Sequence, residues 1–198
     1  MPLTLPPNAP FNGVQKVWLK GFLDGISSVF PPTGGTQAPP DAEVKANGRL
    51  VSILWGSQTG NSEALGKKLS KSLTAKGHSP TLIDMAHVSA ADLVNHQYLL
   101  LITSTYGDGE PPDNAAALHS ALAQPDSPML NPLRFAVLAL GDSNYPDFCK
   151  CGHDFHSRLA ARGAVPMLPV TEADVDYDEV FASWLQQVED CLAHQPAA

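Results

Sequence analysis

The sequence predicts an α/β fold: a doubly wound, five-stranded parallel sheet in the order 2-1-3-4-5, with an N-terminal helical appendage. Three observations predict it. Across residues 49–193, short apolar runs alternate with helical repeats. The run Leu99-Leu-Leu-Ile102 is apolar at successive positions, as a strand buried on both faces must be. Three of the runs end in polar loops that lead straight into a helical pattern.

The elements follow in order. Residues 1–30 form the appendage: Pro6, Pro7 and Pro10 keep its start extended, and Val14, Trp18, Phe22 and Ile26 then recur on one helical stripe. Two readings are open for that stripe, packing on its own domain or docking onto another. Residues 31–48, with Pro31, Pro32, Pro39, Pro40, Gly34, Gly35 and Gly48, have the composition of a linker. The compact domain spans 49–193, and residues 194–198 read as a tail or a linker to a further domain. Within the domain, strands are expected at Leu50–Trp55, Thr81–Ile83, Tyr98–Ser104, Phe135–Leu140 and Val165–Val170. Pro166 and Pro169 limit the last of these to an edge or a broken ladder. Helices are expected over Ser62–Lys76, Asn114–Ala123, Cys149–Ala161 and Tyr177–Leu192, each with an apolar stripe. Gly77 and Gly163 fit helix stops.

Composition narrows the function classes. A chain of 198 residues with 43% hydrophobic content can bury a full core. The net charge of −8 argues against nucleic acid and anionic membrane as partners, and leaves a basic protein partner or simple solubility. No apolar run approaches the ~20 residues of a membrane span. The N-terminus has no secretory pattern, and three cysteines, two in a Cys149-Lys-Cys151 pair, suggest no disulfide framework, so the cytoplasm is the expected compartment. The single Cys-x-Cys pair and the seven histidines show no metal-ligand spacing.

The first polar loop, Ser57-Gln58-Thr59-Gly60-Asn61-Ser62-Glu63, suits a phosphate. A helix N-terminus offers unpaired N–H groups and a partial positive charge. Ser57, Thr59 and Ser62 add hydroxyls and Asn61 an amide. The loop holds no Lys or Arg and lacks both the Gly-Lys-Ser/Thr of triphosphate loops and the three spaced glycines of dinucleotide loops. Its chemistry fits a terminal monophosphate; the competing reading is a polar turn with Ser62 as the helix cap.

The second loop, starting at Ser104, gives Thr105, Tyr106, Gly107, Asp108 and Gly109. The third, starting at Leu140, gives Gly141, Asp142, Tyr145, Phe148 and Cys149. Tyr106 and Tyr145, from adjacent loops, could sandwich a flat ring. The glycines around Asp108 permit a peptide that changes orientation cheaply, as a flavin whose N5 gains a proton requires. Phosphate and ring together indicate flavin mononucleotide (FMN). Asp108, Glu110, Asp113, Asp142, Asp147, Asp174, Asp176 and Asp178 should share the rim, lowering the flavin potential and steering a basic partner. No catalytic acid, base or nucleophile is evident; the chemistry is the cofactor's.

These loops resemble the FMN-binding, flavodoxin-like domain of the diflavin reductases, and within that group the alpha flavoprotein component of bacterial NADPH–sulfite reductase. The resemblance covers roughly residues 49–192 and is most specific at Leu140-Gly-Asp-Ser-Asn-Tyr145 and Phe148-Cys-x-x-Gly-x-Asp-Phe155. Ala173-Asp-Val-Asp-Tyr177 and the leader Leu5-Pro-Pro-Asn-Ala-Pro-Phe11 are similar as well. It implies an electron shuttle, fed by an NADPH/FAD reductase domain in the same longer chain or a separate one, and emptied into a haem or iron–sulfur acceptor. It also implies that Ser57 to Asn61 hold phosphate, that Thr105–Gly109, Gly141, Asp142, Tyr145, Phe148 and Cys149 surround the ring, and that Asp176 approaches it. Two positions depart from the pattern: Tyr106 stands where such flavoproteins often have Gln, and Pro146 stands where an acid is usual. The alternatives carried forward are a free-standing flavodoxin carrier and a flavodoxin-like NAD(P)H:quinone reductase.

Overall fold

A computed structural model describes residues 48–194. The helix expected in residues 1–30, nearly all of the linker, and the tail beyond 194 lie outside the described residues.

Six strands form one parallel sheet: β1 (Leu50–Gly56), β2 (Ser79–Asp84), β3 (Tyr98–Ser104), β4 (Arg134–Leu140), β5 (Val165–Pro166) and β6 (Thr171–Ala173). The order is β2-β1-β3-β4-β5, as the alternation predicts, with β6 also paired to β4. The single strand expected over Val165–Val170 is therefore corrected to two short ones. Val165 and Pro166 align with Arg134 and Phe135, and Thr171–Ala173 align with Leu138–Leu140. Val165 N and Met167 N donate to the Leu133 and Phe135 carbonyls at 2.8 and 2.7 Å; the next donor in that alternation falls on Pro169, which carries no N–H, and there the ladder lapses.

Side chains of β3 alternate between two cores. Leu99 and Leu101 join Leu54, Phe135 and Val137 beneath α2 (Asp113–Ala123) and α3 (Lys150–Ala161). Leu100 and Ile102 join Val51, Ile53 and Leu138 beneath α1 (Asn61–Ala75) and α4 (Asp178–His194). The stripes read from sequence supply the covering layers: Leu65, Leu69 and Leu73 from α1, and Phe181, Trp184, Val188 and Leu192 from α4. Both faces of the sheet are thus sealed, and polar chemistry is left to the strand ends.

Between β2 and β3 the chain makes two 3-10 turns, Met85–His87 and Asp92–Asn95, that hydrophobic periodicity does not reveal. Their signals are local: Asp84 accepts from Ala86 N, and Ser89 and Asp92 bond reciprocally. Among the described residues no helix is long and apolar enough to cross a membrane.

Candidate functional site

Strands β1, β3 and β4 lie side by side, so their carboxyl ends bring three loops to one edge of the sheet. Thr105 N donates to the Leu140 carbonyl at 2.9 Å and Gly141 N to the Ala173 carbonyl at 2.9 Å, which ties the second loop to the third and the third to β6. Between them opens a cavity of about 550 Å³, in the range of small-molecule sites.

Of the residues read in the sequence as phosphate or ring contacts, eleven border this cavity: Asn61 from the first loop, Ser104, Thr105, Tyr106 and Gly107 from the second, and Leu140, Gly141, Asp142, Tyr145, Phe148 and Cys149 from the third. Ser57, Gln58, Thr59 and Gly60 form the turn leading to Asn61 without bordering it, and Asp108 and Gly109 lie behind Gly107 in the second loop. Asp176 is not part of the lining; Val175 and Tyr177, its neighbours on either side, are. Those two are the lining residues missed in sequence; Asp147, which also borders the cavity, was expected there as a rim acid. The pairing of β6 with β4 brings Val175 and Tyr177 here, and a broken strand gives no periodic signal for it.

Tyr106 and Tyr145 remain 54% and 57% exposed. Two large rings left this open beside a cavity gain by being covered, and a flat ring system covers them best. Tyr106 and Glu110 exchange backbone hydrogen bonds of 2.8 Å, which closes the Gly107-Asp108-Gly109 tip. Gly109 sits at φ +93°, and a side chain there would meet Lys150 Cδ at 2.7 Å and Asp147 Cβ at 2.9 Å. The second loop therefore rests on the start of α3.

The third loop is held by carboxylates. Asp142 Oδ1 accepts from Asn144 N at 2.9 Å and from Asn144 Nδ2 at 2.7 Å. Asp174 accepts from Ser143 N at 3.1 Å, from Val175 N at 2.8 Å and from the Ser143 hydroxyl. Those bonds, the Ser143 hydroxyl first, hold the Asp174 carboxyl below the ordinary range. Cys149 caps α3 at φ +56°, the single positive φ of a non-glycine residue among those described. It is fully buried, its thiol donates to the Ala139 carbonyl at 3.1 Å, and burial pushes that thiol up to about 11. It packs under the loop with its thiol held protonated.

At the phosphate end the helix cap is Gly60 at φ +88°, with no side chain capping the N–H groups of α1. Ser62, the alternative cap in sequence, lies inside the helix instead. Its hydroxyl is buried without a hydrogen-bond partner among the described residues, an acceptor-seeking group at the mouth of a helix N-terminus. Ser57 Oγ accepts from Gly60 N at 2.9 Å and keeps its own proton to donate. Glu63 is drawn away by Lys67 at 2.5 Å. These groups fit the phosphate monoester of FMN.

The rim acids divide. Asp142 and Asp147 border the cavity. Asp113 bonds Gln58, Asp174 holds the third loop, and Asp178 pairs with Lys68 at 3.5 Å. No cluster of His, Cys, Asp and Glu among the described residues has metal-site geometry.

Comparison with known proteins agrees with this geometry. The flavodoxin family model matches residues 53–184. The sulfite reductase [NADPH] flavoprotein alpha-component of Shewanella sp. (strain MR-7) is 41% identical over 176 residues, covering 89% of this chain and 29% of that protein. Its namesake from Bacillus subtilis (strain 168) is 40% identical over 177 residues, covering 88% and 29%. The chain thus spans under a third of the length of these curated relatives. Among solved structures, a flavodoxin of Streptococcus pneumonia TIGR4 superposes with a TM-score of 0.66 at 28% identity, covering 74% of this chain and 99% of that one. Oxidised flavodoxin 1 of Bacillus cereus gives 0.65 at 25% identity, covering 75% and 99%.

Proposed function

The chain belongs to the flavodoxin family, and from that premise we propose that it is the FMN-binding electron-transfer module of an NADPH-dependent reductase of the sulfite-reductase type. The observation that carries this reading is the cavity with two half-open tyrosines, set beside a helix N-terminus that has hydroxyl donors and no cation.

When bound, FMN supplies the exchange between two-electron and one-electron traffic. The rest is done by the protein. The N-terminus of α1, with the hydroxyls of Ser57, Thr59 and Ser62 and the amide of Asn61, holds the phosphate by neutral dipoles. Tyr106 and Tyr145 stack on the ring and shield it from water. Asp142 and Asp147 keep the surroundings negative, which disfavours added negative charge on the ring.

The proposed electron donor is an NADPH/FAD reductase domain, and the proposed acceptor a haem or iron–sulfur protein such as a sulfite reductase. The names of the relatives and the 29% share of their length support this pairing. The net charge of −8 suits a basic docking face on either partner. The match to solved flavodoxins over 99% of their length favours, as a second reading, a free-standing carrier.

The test is reconstitution. Purified protein incubated with FMN should show flavin absorption bands after gel filtration, and their absence would sink the proposal. Tyr106→Ala and Tyr145→Ala should each weaken FMN binding about 3- to 10-fold. Unchanged affinity in both would refute the ring sandwich.

A further inference from the structure

The first loop is held from outside itself. Asn114, the second residue of α2, is half-buried and bonds three separate points of the chain. Its Oδ1 accepts from Ser57 N at 3.0 Å, and its Nδ2 donates to the Trp55 carbonyl at 3.3 Å and to Asp84 Oδ1 at 2.9 Å. Chemistry fixes this orientation. Turned over, the amide NH₂ would face an N–H, and its oxygen would face two other oxygens. Beside it, Gln58 Nε2 donates to Asp113 Oδ2 at 3.0 Å, and Asp113 N donates to Gln58 Oε1 at 3.3 Å. Where β1 ends the contact is tighter still: a Cβ at Gly56 would lie 2.9 Å from Ala115 Cβ and 2.9 Å from Thr103 Oγ1. Asp113, Asn114 and Ala115 together clasp the start of the loop.

We propose that Asn114 is a positioning residue for the phosphate end of the site, with the Gln58–Asp113 pair as its outer support. This rests on the FMN reading above. Asn114 does not border the cavity and acts through Ser57. With Ser57 N held, Ser57 Oγ stands where it accepts from Gly60 N, and that bond sets the turn that presents the N-terminus of α1. A phosphate bound without Lys or Arg depends on several weak dipoles aimed at one point, so a loosened turn loses them together.

The experiment compares FMN with riboflavin, which lacks the phosphate, by fluorescence titration of the full chain freed of flavin. Asn114→Ala removes all three bonds; Asn114→Asp keeps the acceptor for Ser57 N but sets a second carboxylate against Asp84. Both should lose roughly 10- to 100-fold in FMN affinity and stay within about threefold for riboflavin. Gln58→Ala, at an exposed position that leaves folding intact, should cost FMN about two- to fivefold and riboflavin nothing. Equal losses for the two flavins would reduce Asn114 to a structural residue and overturn the inference, as would unchanged FMN affinity in all three variants. Wild-type protein that binds neither flavin would overturn the FMN reading itself, and wild-type protein that binds both equally would overturn the phosphate role of the loop.

Discussion

Gly152 is the position where a single methyl group should matter most. It lies in α3 directly over β4, and both it and Ala139 beneath it are buried. A Cβ at 152 would fall inside the contact distance of Ala139 Cβ, 3.1 Å from Ala139 Cα and 3.5 Å from Val137 Cγ1. Neither alanine methyl has a rotamer to escape by, so α3 must lift by on the order of 1 Å to restore an ordinary carbon–carbon separation. Gly→Ala would otherwise favour the helix by about 0.5–1 kcal/mol. Against that stands an overpacking cost of about 1–3 kcal/mol, borne where Cys151, Phe155 and Leu159 pack on the sheet. Gly152→Ala should therefore destabilise the domain by about 1–2 kcal/mol and lower the thermal midpoint by roughly 2–8 °C. Because α3 starts at the third loop, FMN affinity should fall as well. Urea and thermal unfolding followed by circular dichroism give the first quantity, and flavin titration gives the second. A midpoint equal to or above wild type would show that helix propensity outweighs packing here and would refute the close-contact argument.

Further expectations concern titration and thiols. His78, His96, His119 and His156 all sit below the ordinary histidine value, burial being the first cause in each. The unfolded chain then takes up protons first as pH drops, so stability present above about pH 6.5 is progressively lost below it. Asp92 and Asp174, both lowered chiefly by bonds from serine hydroxyls, add a loss of the same sign at more acidic pH. Thermal midpoints should therefore fall steadily from pH 7 towards pH 4, and a flat profile between pH 7 and pH 5 would contradict the histidine argument. Cys149 and Cys151 are fully buried with thiols pushed up to about 11, whereas Cys191 is half-buried. A thiol reagent at neutral pH should titrate at most one cysteine in the folded protein and all three after denaturation; rapid modification of two would place Cys149 or Cys151 in the wrong environment.

What the sequence revealed followed from local pattern. The Leu99–Ile102 run forced a strand buried on both faces, and the split of its side chains between two cores is the period of two expected of it. The three polar loops were legible because each joins a strand end to a helix start, where site chemistry collects. The illegible parts were set by distant partners. Asn114 looked like an ordinary helix start, yet its bonds reach 57 and 30 residues back along the chain. Val175 and Tyr177 reach the cavity because Gly141 N bonds the Ala173 carbonyl, a register that nothing in their own neighbourhood encodes. The outer strand of the sheet, β2, runs longer than expected because Ser79, Pro80 and Asp84 carry no apolar signal and are held by pairing with β1 alone.

The divided last strand has a consequence for how copies of this protein meet. A long outer strand presents a continuous row of free N–H and C=O groups, a template onto which another chain can add. Here one border of the sheet is cut into pieces of two and three residues, with Pro166 in the first and Pro169 in the gap. The opposite border, β2, carries Pro80 and so lacks a donor near its start. Among the described residues, prolines thus interrupt the row of outward donors on both flanks, and the residue type that blurred the outermost strand in the sequence disfavours edge-to-edge pairing of such domains.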